Sequence, residues 1–144
     1  MSRRIVLFVL LFFAASLAVG QTTQPNGSSG DKDPNAPPNC IKIPGKDLYV
    51  SYADESSRMN YGMAKSVCES KGKGWHLPTV GELLIVYQYK DMLGNFKREY
   101  YWAVDQNPEN GRFLNVKFSN GRVADENFGE NNSVRCVWCP DSRY

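Results

Sequence analysis

Four cysteines, Cys40, Cys68, Cys136 and Cys139, are the tightest constraint on what this chain can fold into. They follow an N-terminal stretch laid out like a secretory signal. Arg3 and Arg4 precede an uncharged apolar run, residues 5–19, and the small residues Ala18-Val19-Gly20 stand ahead of Gln21. The run is shorter than the roughly 20 residues that cross a bilayer. Residues 1–20 are therefore expected to be cleaved, leaving no membrane span and placing the rest in the extracellular space, at the cell surface or in a periplasm. An even cysteine count in an exported chain reads as two disulfides. A bridge from Cys68 to Cys136 would tie most of the domain together, with a loop (136 less 68) worth about 4 kcal/mol in the chain-entropy account. Cys40 and Cys139 would then join its start to its end. The alternative reads Cys136-Val137-Trp138-Cys139 as a redox motif, but such motifs use a following helix to lower the thiol pKa. Pro140 and four further residues leave no room for one.

Charge excludes one class of partner. The 17 basic residues less Arg3 and Arg4 leave 15, against 15 acidic ones. A neutral domain has no basic stripe for nucleic acid. The 144 residues less the first 20 leave 124, enough for a single domain. Residues 21–39 are rich in Pro, Gly, Ser and Asn, with no large apolar anchor, and are expected to form a disordered tail ahead of a domain spanning 40–144. Asn26-Gly27-Ser28 and Asn131-Asn132-Ser133 match the N-glycosylation pattern.

Hydrophobic periodicity gives the order of elements. Residues 48–52 alternate as a strand. A helix is expected over 59–70 with Met59, Met63, Ala64, Val67 and Cys68 on its inner face, ended by Gly72 and Gly74. Thr79-Val80-Gly81-Glu82 is a capping box that starts a second helix. Its stripe is Val80, Leu83, Leu84 and Tyr87, and Ile85 and Val86 make it apolar almost all round, so deep burial is expected. Strands follow over 100–104, 113–118 and 122–124, the last two joined at Asn120-Gly121 in a type I′ hairpin. Residues 133–138 form the final strand, with Val134, Cys136 and Trp138 on one face and Arg135 and Val137 on the other. Two helices on a small, mainly antiparallel twisted sheet make an α+β domain.

Several blocks together resemble a known family. Tyr61, Ala64 and Cys68, then Gly74-Trp75-His76-Leu77-Pro78-Thr79 with Glu82-Leu83, resemble the central signature of the C-terminal domain of the collagen-like bacterial adhesin Lcl. Tyr101-Trp102, the segment 116–121 and Val134-Arg135-Cys136-Val137 are similar to its later blocks, in the same order. The resemblance implies a C-type-lectin-like fold, distantly related to formylglycine-generating enzymes, with Trp75, Leu77, Pro78, Thr79, Glu82 and Trp102 as structural signature. It also supports a bridge between Cys68 and Cys136, because such folds join the first helix to the last strand. The family usually carries Arg where His76 stands here, which argues against a ligand or base at that position. No collagen-like Gly-x-y repeat precedes the domain, so a trimeric stalk is not implied.

Function is read by weighing chemistry against these positions. His76 is the only imidazole, and no nucleophile–base motif accompanies it, so no enzyme is expected and His76 is read as structural or surface. Metal ligation finds no second His and no ligand-spaced cysteine pair beyond Cys136 and Cys139. Calcium is a weaker alternative. Asn107-Pro108-Glu109-Asn110 and two later Asn/Glu clusters offer oxygen donors, but the triplets of calcium-dependent lectins are absent. The preferred reading is a secreted, adhesin-type binding module for a glycan or surface protein, with no cofactor, that also has the option of forming a homo-oligomer. Its site is placed on two polar loops, Asp105, Gln106, Asn107, Glu109 and Asn110 in the first and Asp125, Glu126, Asn127, Glu130 and Asn131 in the second. The alternative is a structural or assembly subunit of a surface appendage.

Overall fold

The computed structural model describes residues 33–140; residues 1–20 and Asn26-Gly27-Ser28 lie outside them. Among these residues the order is β1 (Cys40–Lys42), β2 (Tyr49–Ser51), α1 (Tyr61–Glu69), β3 (Trp75–His76), α2 (Val80–Gln88), α3 (Lys90–Leu93), β4 (Tyr100–Gln106), β5 (Phe113–Lys117), β6 (Arg122–Glu126) and β7 (Val137–Trp138). They form two antiparallel sheets, one ordered β1-β2-β7-β3 and the other β4-β5-β6. Helix α1 packs on β3 and β4, and α2 packs on β4 and β5.

Alternation along three segments divides the interior into two cores. Tyr49, Trp102, Val134, Cys136 and Trp138 face one cluster, together with Tyr61, Ala64, Cys68, Trp75 and Leu77. Val50, Tyr101, Ala103 and Val137 face the other, with Ile43, Leu83, Val86 and Val116. Neighbouring residues in an extended chain point to opposite faces, so a segment covered on both sides is buried throughout. That is why residues 134–138 are buried without exception. Regular strand structure there is shorter than expected, confined to β7, because Ser133 pairs instead with Tyr101.

The Cys68–Cys136 disulfide spans the first core, with Cα atoms 5.4 Å apart. The expected bridge between Cys40 and Cys139 is not formed. β2 lies between β1 and β7, so Cys40 and the residue after β7 are separated by more than two strand spacings, over about 9–10 Å, which exceeds the Cα separation a disulfide spans. Residues 33–39 form turns on the domain, with Asp33 N donating to the Tyr49 hydroxyl at 2.6 Å and Ala36 packed against the first core.

Both helices are capped as side chains dictate, but their faces differ from expectation. Asn60 accepts from Met63 N at 3.0 Å and caps α1, which starts at Tyr61, two residues after Met59. The buried stripe is Tyr61, Ala64 and Cys68, and Met63 points outward at 58% exposure. The disulfide fixes Cys68 inward, and a helix then buries positions four and seven residues before it. Thr79 and Glu82 complete the capping box of α2. Only Leu83 and Val86 are fully buried there, so α2 lies across the second core rather than inside it. The 118–121 connection is also longer than a two-residue hairpin, since Lys117 pairs with Arg122. Phe118 leaves the strand to pack against Phe96, Tyr101 and Tyr87, and Gly121 takes φ +75° where a Cβ would strike the Tyr87 ring.

A buried polar network locks the 94–99 segment to the sheets. Arg135, 1% exposed, donates from Nε to Asp54 at 2.7 Å, from one terminal nitrogen to Ser51 O at 3.0 Å and from the other to Asn95 O at 2.9 Å. Its guanidinium lies over the Phe96 ring at 3.9 Å. Tyr101 donates to the other Asp54 oxygen at 2.7 Å. Burial first, and then Asp54, push the Tyr101 phenol well above its usual pKa.

Candidate functional site

The two expected loops meet at one carboxylate. Asp125, on β6, accepts from Asn107 Nδ2 at 2.7 Å and from Asn110 Nδ2 at 3.3 Å. Arg112 Nε lies 3.2 Å from its other oxygen as an ion pair, without hydrogen-bond alignment. The amide hydrogen bonds from Asn107 and Asn110 hold the Asp125 carboxyl below its usual pKa. The first loop is tied by its own hydrogen bonds. Asn107 Oδ1 accepts from Glu109 N at 3.0 Å, Asn110 Oδ1 from Arg112 N at 2.9 Å, and Asn107 N donates to Arg112 O at 2.7 Å. These Asx turns explain why the stretch is so rich in Asn.

That arrangement speaks against calcium at this loop. The Asn oxygens are turned to backbone N–H groups and the amide N–H groups to Asp125, so donors rather than acceptors face the carboxylate. A calcium site needs six to eight converging oxygens.

Other expected site residues take different places. Asp105 accepts from Val80 N at 2.5 Å and so caps the start of α2. Gln106 ends β4, exposed, in a row with Phe113 and Glu126 across the sheet. Glu126 accepts from Asn132 Nδ2 at 2.7 Å, the carbonyl of Asn127 accepts from Glu130 N at 3.1 Å, and the carbonyl of Asn131 accepts from the Arg58 guanidinium. Tyr101, Trp102 and Trp138 are core and offer no stacking face to a ligand. The basic residues do not form one patch. Lys90, Lys97 and Arg98 line one shallow cleft with Asp91, whereas Lys71 lines another and pairs with Glu55 at 2.8 Å.

Sequence reasoning missed Phe128. It is 54% exposed and packs on Phe113 and Tyr61, with ring centroids 5.7 and 6.0 Å away. Gly62 makes room, since a Cβ there would sit 2.8 Å from the Phe128 ring. The available signal was an aromatic inside the turn Asn127-Phe128-Gly129, where burial alone does not call for one.

His76 is structural rather than surface, at 5% exposure in β3 opposite Val137. Its Nδ1 faces Gly74 O at 3.1 Å, and its Nε2 lies 3.2 Å from both Glu82 carboxylate oxygens. Burial by itself lowers the His76 pKa, but the Glu82 hydrogen bond and charge, with the Gly74 carbonyl, outweigh it and leave it raised. Burial raises that of Glu82, and His76 and Thr79 reverse it to a net lowering.

No protein-family model matches this chain and no curated protein matches its sequence, so the resemblance to the adhesin domain stands on its motif blocks. Solved structures do match. Ovocleidin-17, described as a major protein of the Gallus gallus eggshell calcified layer, is 15% identical with a TM-score of 0.54 over 72% of this chain and 99% of its own. Botrocetin is 12% identical, TM-score 0.53, over 72% and 98%, and is also solved in complex with the von Willebrand factor A1 domain. EMS16, an antagonist of the collagen receptor integrin α2β1, is 11% identical, TM-score 0.53, over 72% and 98%. The α+β architecture, the helix-to-strand disulfide and these neighbours together give the chain a C-type-lectin-like fold.

Proposed function

We propose that this is a secreted, non-enzymatic binding module that recognises a ligand through the face formed by residues 105–112 and 125–132. The observation that carries the reading is the gathering of Asn107, Asn110 and Arg112 of the first loop on Asp125 of the second segment, which also carries the exposed Phe128. An exposed aromatic ring, together with polar groups already held in place, is the composition of a recognition surface. Fixing those groups before binding lowers the ordering cost. A buried disulfide and the apolar run ahead of residue 21 favour an exported protein. Among the described residues no helix is long and apolar enough to cross a membrane.

A protein ligand is favoured over a glycan. Botrocetin's complex with an A1 domain and EMS16's antagonism of an integrin are protein recognition on the same fold. The polar face here also lacks a converging oxygen cage for a sugar-bridging calcium. The adhesin role is this same reading set at a cell surface.

The test is binding of the full chain to arrays of extracellular proteins and glycans, with calcium present and with calcium chelated. A ligand bound equally in both states, and lost on Phe128→Ser, supports the reading. Absence of any ligand at high protein concentration, or turnover of a bound molecule, sinks it.

A further inference from the structure

β3, the start of α2 and the end of β7 meet at a corner holding His76, Glu82 and Cys139. One donor atom from each lies within 4.8 Å of the other two. We propose that this corner binds one divalent metal ion of zinc type, ligated by His76 Nε2, Glu82 Oε1 and the Cys139 thiolate, with a fourth position for water or a partner's side chain.

The donor set selects the class of metal. Imidazole and thiolate suit zinc and its neighbours, whereas calcium and magnesium take oxygen alone. The spacing fits as well. Ligand atoms around a tetrahedral zinc stand about 3.3–3.6 Å apart, and His76 Nε2 and Glu82 Oε1 are 3.2 Å apart. Bringing the sulfur from within 4.8 Å onto the ion takes a movement on the order of 1 Å.

The surrounding bonds orient each ligand. The Nδ1–H of His76 donates to Gly74 O at 3.1 Å, which turns Nε2 toward the metal in the way ligating histidines are usually held. Thr79 donates to Glu82 Oε2 from N at 2.8 Å and from Oγ1 at 3.0 Å, leaving Oε1 for the ion. Cys139 N donates to the same Gly74 carbonyl at 3.2 Å, so ring and thiol are referred to one peptide. Gly74 itself is required: at φ +88° a Cβ would lie 2.4 Å from Trp138 Nε1 and 2.8 Å from Cys139 O. Any larger residue would push β7 off the corner. His76 is buried while Glu82 and Cys139 are partly exposed, which leaves an entry path on their side.

A Cys-His-Glu catalytic arrangement fits less well. It needs one ring nitrogen on the carboxylate and the other on the sulfur, and here the second nitrogen faces the Gly74 carbonyl. Without metal, a proton on Nε2 occupies the ion's place. Metal binding must displace it, so affinity should rise with pH.

The experiment is a cobalt(II) titration of the full chain with the Cys68–Cys136 bridge intact and the other thiols confirmed by alkylation. One equivalent should bind, with visible bands of tetrahedral cobalt and a near-ultraviolet thiolate charge-transfer band, and zinc should erase both. Cys139→Ser should lose the charge-transfer band and Cys40→Ser should keep it. Glu82→Gln retains a capping box and should weaken binding. Near-ultraviolet circular dichroism checks that each variant is folded. No band in the thiol-containing wild type, or a band that survives Cys139→Ser, overturns the proposal.

Discussion

Two aspartate–arginine pairs organise this molecule, and they differ chiefly in burial. Asp54 and Arg135 have side chains 8% and 1% exposed, and every polar atom named there is met by the sheets or by the 94–99 segment. Asp125 and Arg112 are 21% and 42% exposed, and gather two loops instead of two sheets. The first pair cannot lose a member without stranding a charge in low dielectric. The second is partly exposed, where solvent screening reduces what an ion pair contributes to stability. The same chemistry therefore holds the fold in one place and, in the proposed function, serves recognition in the other.

The comparison breaks first at the buried pair. Asp54→Ala, which leaves Arg135 charged and uncompensated, should cost about 3–5 kcal/mol in urea denaturation. A loss under about 1 kcal/mol would show that water reaches the site. Removing the staple with Cys68→Ala and Cys136→Ala together should cost about 4 kcal/mol by the same measurement. Peptide mapping of the unreduced protein should find Cys68 joined to Cys136, and a Cys136–Cys139 linkage would contradict the fold.

A smaller effect is expected at the His76–Glu82 pair, and its sign follows from the shifts. The raised His76 pKa stabilises the fold fully below 6.5, and that share fades as pH rises through the higher folded value. The lowered Glu82 pKa stabilises above 4.5 and is lost as pH falls through its folded value. In metal-free protein, thermal stability should peak between those limits and decline toward pH 8. His76→Gln should flatten the alkaline side, and an unchanged profile would mean that the pair does not form. His76→Arg, the residue usual in the resembling family, should keep a cation opposite Glu82 and the fold, but should lose cobalt binding.

How much was legible in the sequence depended on whether the signal was local. The capping box of Thr79 and Glu82 and the alternation of 134–138 were readable, because each is set within a few residues. The α1 face was misjudged because Met63 and Tyr61 are both apolar, and only the distant partner of Cys68 decides which turns inward. The Cys40–Cys139 pairing failed for a similar reason. Cysteine count says nothing of the strand that lies between them. Of the loop residues named, Asp105 serves as a cap, and Phe128 went unnoticed. Their roles depend on which surfaces the tertiary fold leaves open.

The smallest expected change in stability belongs to the exposed pair, and there the central claim is tested. Asp125→Ala and Phe128→Ser should each unfold within about 1 kcal/mol of the wild type. Binding to the ligand found on the arrays should fall by roughly ten-fold or more in both, the loss of about 1.4 kcal/mol that marks a hot spot. Titrating that ligand against wild type and both variants measures this directly. Weakened binding by stable variants is the expected result, and a ligand bound with undiminished affinity by both would place recognition on another surface.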